Sequence, residues 1–98
     1  MTPPFPVLTA PHYERLAKRL LRGDPDFPAI QAQAGSILCA DPYNTSRQHH
    51  IKKLEGVAAG DGQFRLTIGR WRFRYDILGR EVRLAYCGLR REDTYRKT

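Results

Sequence analysis

The chain's 98 residues leave room for one domain around one modest core. With 41% apolar and 28% charged residues it is expected to fold, and no apolar run approaches the roughly 20 residues of a membrane span. The formal charge of +7 lies wholly in the second half: residues 1–46 carry four basic and four acidic side chains, residues 47–98 thirteen and six.

That excess is mostly arginine, whose planar fork can grip phosphate at two points, so the charge suggests a nucleic acid or an acidic protein as partner. A solvated face that merely keeps the protein in solution is the other reading. The opening residues Met1–Phe5 lack the basic and long apolar segments of a secretion signal. Cys39 and Cys87 stand far apart, with no Cys or His at metal-ligand spacing. A cytoplasmic protein with reduced thiols and no metal is expected.

In chain order, Phe5–Leu8 is a short apolar run suited to an edge strand. Thr9 is placed to cap a helix that begins at Ala10-Pro11, since proline is tolerated in a first turn. Tyr13, Leu16, Ala17, Leu20 and Leu21 then recur at helical spacing, with Glu14, Arg15, Lys18 and Arg22 opposite, until Gly23. After Asp24-Pro25-Asp26-Phe27-Pro28, a second helix shows Ile30, Ala34, Ile37 and Leu38 on one stripe and ends at Asp41-Pro42. Tyr43–Ser46 has loop composition, and His49-His50 and Lys52-Lys53 are read as belonging to the loop that follows.

From residue 63 the period changes to two. Phe64, Leu66 and Ile68 alternate with Arg65 and Thr67; Trp71, Phe73, Tyr75 and Ile77 alternate with Arg70, Arg72, Arg74 and Asp76; Val82, Leu84 and Tyr86 alternate with Arg83, Ala85 and Cys87. Such alternation marks half-buried strands. Gly79-Arg80 suits a tight hairpin, and Gly69 serves the preceding junction. The expected fold is α+β, a helical hairpin packed on a small, mainly antiparallel twisted sheet. If the aromatic side chains face the helices, Arg65, Arg72, Arg74 and Arg83 share the opposite face.

Motifs of phosphate loops, metal sites and nucleophilic triads are missing. His12 reads as a helix-surface residue. His49 and His50 could reach a substrate phosphate, but a loop histidine without a named partner is more often structural or solvated.

Three segments together resemble the RelE/ParE toxin superfamily: Lys52-Lys53-Leu54-Glu55-Gly56, Phe64 to Ile77 with Arg65 and the Arg72-Phe73-Arg74-Tyr75 stretch, and Arg90-Arg91-Glu92-Asp93-Thr94-Tyr95. The order of elements is similar as well: a short strand, a helical hairpin, then a three-stranded antiparallel meander. In the RNA-cleaving branch this resemblance implies cleavage of messenger RNA in the ribosomal decoding site, the 2′-hydroxyl attacking the adjacent phosphate and expelling the 5′-oxygen. Arg72 then resembles the phosphate-stabilising arginine and Arg65 a strand-borne basic residue. Arg90 or Arg91 resembles the C-terminal basic residue near the leaving group, and Tyr95 the C-terminal tyrosine that stacks on a base or assists proton transfer. Lys52, Lys53, Arg74 and Arg83 are read as RNA-binding. One position departs: Thr67 stands where lysine-using members carry a second basic residue, and Lys52 or Lys53 is the proposed substitute.

Fixed cations aimed at the nonbridging oxygens lower the barrier of such an attack. Arginine and tyrosine are poor proton carriers at neutral pH, so this set works mainly by orientation and charge. The resemblance implies a cognate antitoxin, the ribosome and mRNA as partners, and no metal or organic cofactor. The ParE branch, which inhibits DNA gyrase without nuclease chemistry, and an inactive RNA-binding relic are the competing readings. Arg65 and Arg72 also have a structural reading, as partners of Asp76, Glu81 or Glu92.

Overall fold

The computed structural model describes residues 4–90. Within them the period-two segment forms three strands joined by two-residue turns: β3 (Phe64–Ile68), β4 (Trp71–Leu78) and β5 (Glu81–Leu89). Gly69 and Gly79, with φ of 58° and 61°, take the left-handed first positions of those turns. Before them come β1 (Val7–Thr9), helices α1 (Pro11–Gly23) and α2 (Phe27–Ala40), and β2 (His50–Lys53). The sheet order is β1-β5-β4-β3-β2. β1 runs parallel to β5, and every other pair is antiparallel. The architecture is α+β, two helices packed on a five-stranded, mostly antiparallel sheet.

Two elements differ from the sequence-based expectation. His50–Lys53 is a strand and not a loop, so the meander has four strands. Its four residues carry a single aliphatic side chain, Ile51, too little alternation to signal a strand. At the start of α1, Ala10 occupies the N-cap, and the Thr9 hydroxyl donates to the Glu14 carboxylate.

One face of the sheet carries the core. Leu66, Trp71, Phe73, Tyr75, Val82, Leu84 and Cys87 are buried against Tyr13 and Ala17 of α1 and Phe27, Ala34 and Leu38 of α2. Each large apolar side chain withdrawn from water in this way stabilises the fold by about 1.5–3 kcal/mol. Phe27, at the start of α2, lies 5.2 Å from the Trp71 ring and 6.4 Å from Phe73, closing the end of the core. Tyr75 is fully buried, and its hydroxyl donates to the Pro42 carbonyl at 2.7 Å, tying β4 to the exit of α2. No helix among the described residues is long and apolar enough to cross a membrane.

The alternation breaks once. Arg74 pairs with Tyr86 but Tyr75 pairs with Leu84, so Ala85 is an extra residue in β5. This bulge reverses the phase of the strand. Cys87 enters the core and Tyr86 turns to the outer face, the reverse of what simple alternation predicts.

Candidate nucleic-acid interface

The pairing register sets the outer face out as two rows across four strands. Lys52, Arg65, Arg74 and Tyr86 are consecutive cross-strand partners in one; His50, Thr67, Arg72 and Gly88 are consecutive partners in the other. Directly opposed residues have Cα atoms about 4.5–5.5 Å apart, so like charges in such a row repel. Lys52, Arg65 and Arg74 place three cations side by side, and none of them has a carboxylate partner among the described residues.

The two arginines are held differently. Arg74 Nε donates to the Gly62 carbonyl at 3.1 Å. Gly62 itself, at φ +85°, lies so close to Arg74 that a Cβ on it would come within 2.7 Å of the Arg74 Cβ, so only glycine fits this approach. Arg65 is half-buried, and its Nε is fully buried with no hydrogen-bond partner among the described residues. A buried, unsatisfied donor on a cation is costly unless an acceptor takes its hydrogen bond. Beside it lies a shallow hollow of about 360 Å³ lined by His49, His50, Ile51, Lys52, Arg65 and Thr67.

Arg72 folds back on its own turn, Nη1 donating to the Gly69 and Trp71 carbonyls at 3.1 and 3.2 Å. Arg83 is exposed and pairs with Glu81 at 2.8 Å. Asp76, buried and opposite Arg83 on the ladder, accepts from the backbone N–H groups of Gly62 and Gln63, each at 3.0 Å. Its carboxylate therefore pins the loop before β3 and pairs with neither Arg65 nor Arg72. Arg90 is exposed at the end of β5, its N–H donating to the Arg70 carbonyl at 2.7 Å. Arg91, Glu92 and Tyr95 lie outside the described residues.

Lys53 departs from the basic face. It pairs with Phe64 on the core side of the sheet, and its Nζ sits 5.8 Å from the Phe64 ring centroid. The two histidines also separate. His49 is built into the loop after α2: its backbone exchanges hydrogen bonds with the Asn44 side chain, and its Nε2 lies 4.0 Å from Asp41. Burial raises the Asp41 carboxyl, but hydrogen bonds from Ser46 and Thr45 and the nearby His49 outweigh it and hold the group below its ordinary value. His50, by contrast, is exposed on the outer face, opposite Thr67.

Sequence reasoning missed Tyr86, because nothing in the composition of Ala85-Tyr86-Cys87 announces the bulge. It also passed over a second basic surface. Arg15, Lys18, Arg19 and Arg22 project together from exposed positions on α1 around a hollow of about 380 Å³, although the first half of the chain is neutral overall. Cys87 is no candidate nucleophile: burial pushes its thiol up to about 12, against a smaller opposing pull from Tyr13, so it carries almost no thiolate near neutrality. Compared with protein-family models, curated proteins and solved structures, the chain matches none of them.

Proposed function

We propose that the outer face of the sheet binds the phosphates of messenger RNA, and that the chain is a RelE-type toxin that cuts the message on the ribosome. The observation that carries this reading is the row Lys52–Arg65–Arg74, three adjacent cations without carboxylate partners among the described residues, with the Arg65 Nε buried and unsatisfied among them. A surface whose only task is solubility gains nothing from such repulsion and desolvation, whereas a phosphate relieves both. The resemblance of the second half to the RelE/ParE superfamily supplies the reaction class.

In this reading a phosphodiester lies over the hollow beside Arg65. Lys52, Arg65 and Arg72 stabilise charge on the nonbridging oxygens as the 2′-oxygen attacks phosphorus and the bond to the 5′-oxygen breaks. Thr67 cannot move protons at this position, but His50, its cross-strand partner, can. Imidazole both takes and gives a proton near neutrality, so His50 accepts the 2′-hydroxyl proton. The products are a 2′,3′-cyclic phosphate and a 5′-hydroxyl, the leaving 5′-oxygen taking its proton from solvent water while His50 returns the one it accepted to solvent. A cognate antitoxin that covers the cationic row with carboxylates would silence the site, and the α1 cations offer the ribosome a second phosphate contact.

The test is incubation of the purified chain with ribosomes programmed with a defined message, followed by analysis of the RNA termini. Fragments ending in a cyclic phosphate, formed only when the message is on the ribosome, are expected. An intact message together with inhibited gyrase supercoiling would assign the chain to the ParE branch.

A further inference from the structure

The bulge at Ala85 has a chemical consequence. Tyr86 is 37% exposed on the outer face, with Arg74 and Gly88 as its neighbours there. The phenol end of its side chain lies over Gly88: a Cβ at Gly88 would come 2.6 Å from the Tyr86 Oη and 3.1 Å from Cζ. The missing side chain at position 88 is thus the bed of the ring. On the neighbouring strand Arg74 stands opposite Tyr86 and Arg72 opposite Gly88. On the other side β1 pairs only with Val82–Leu84, so no strand flanks Tyr86 there among the described residues.

An exposed aromatic ring seated on the sheet and bordered by arginines is the arrangement that single-stranded nucleic acids use, with bases stacked on the ring and phosphates on the cations. We propose that Tyr86, seated on Gly88, is a nucleobase-stacking subsite for a message nucleotide whose neighbouring phosphate lies on the Arg65 row. This rests on the RNA-binding reading above. The row supports it geometrically: Tyr86 and Arg65 are separated by two interstrand steps, roughly 10 Å, a distance that a nucleotide and an extended side chain can bridge. The ligand is single-stranded, since base faces in a duplex are occupied by their neighbours.

The experiment measures binding to ribosomes programmed with an uncleavable 2′-O-methyl message, either complete or made abasic in turn at each decoding position. Tyr86→Ala should weaken binding to the complete message about 5- to 150-fold, the range for losing one stacked base. At one abasic position the same substitution should cost nothing. Tyr86→Phe should bind like the parent, and Gly88→Ala, which displaces the ring, should behave like Tyr86→Ala. Parent-like binding by Tyr86→Ala, or an equal loss on every abasic message, overturns the stacking subsite; the RNA reading survives if Arg65→Ala still weakens binding. If the parent chain fails to bind programmed ribosomes at all, both fall.

Discussion

Across the β2–β3 ladder, His50 stands directly opposite Thr67, and both line the hollow beside Arg65. A four-residue edge strand thereby brings an imidazole to the position where the sequence alone offers only a hydroxyl. His50→Gln should lower single-turnover cleavage on programmed ribosomes by about 10²–10⁴-fold, the usual worth of a positioned proton-transfer group. His12→Gln, at an exposed position on α1 and outside the lining of that hollow, should leave the rate within a few-fold of the parent. Equal rates for His50→Gln and the parent would remove His50 from the reaction.

Arg65 and Lys53 separate the two faces of the sheet. Arg65→Ala should weaken ribosome or RNA binding and flatten its dependence on log salt by about 0.7, the contribution of one phosphate contact to a single strand. Lys53→Ala should leave the salt slope unchanged and cost only about 0.5–1 kcal/mol of stability, through its contact with the Phe64 ring. A salt titration of both variants checks this, and a reduced slope for Lys53→Ala would mean that the strand's faces are assigned wrongly.

The same division applies to the aromatic residues. Trp71, buried and in contact with Phe27, should lose about 3–5 kcal/mol of stability on replacement by alanine. Tyr86→Ala should stay within about 0.5 kcal/mol of the parent, as surface substitutions usually do. Urea denaturation of the two variants reads the difference, and a strongly destabilised Tyr86→Ala would place its ring in the core.

Alkaline stability follows from three buried acids. Burial raises the Tyr13 and Tyr75 hydroxyls above their ordinary value and the Cys87 thiol to about 12. Each group keeps its proton in the folded chain at a pH where the unfolded chain has already released it. Their contribution is therefore complete below the ordinary thiol and phenol values, roughly pH 8.5 and 10, and declines as pH rises through them toward the folded values. Circular dichroism at fixed urea should show stability falling from about pH 9 upward, and Cys39 should react with iodoacetamide before Cys87. Stability that stayed flat to pH 11 would contradict the burial of these groups.

Strict alternation in residues 64–77 made β3, β4 and the arginine face readable in the sequence, because a half-buried strand must segregate its side chains. Helical spacing did the same for Tyr13, Ala17, Ala34 and Leu38. What stayed hidden depends on backbone geometry without a compositional signature. The bulge at Ala85 inverts Tyr86 and Cys87, although both residue types are at home in a core. β2 forms because β3 offers an open edge to the backbone of His50–Lys53 and not because those side chains demand a strand. The separation of Lys52 from Lys53 follows at once from β2 being a strand, since adjacent strand residues face opposite ways. Phe27 was passed over as part of a proline-rich linker, yet it is completely buried.

The most direct test of the central claim is a map of RNA 5′ ends after brief induction of the chain in bacteria, with Arg65→Ala and His50→Gln expressed in parallel. Message cleavage by the outer face predicts new 5′ ends inside translated reading frames. They should disappear when initiation on that message is blocked, and should be greatly reduced in both variants. Intact messages accompanied by trapped gyrase–DNA complexes, or cleavage that persists unchanged in both variants, would contradict it.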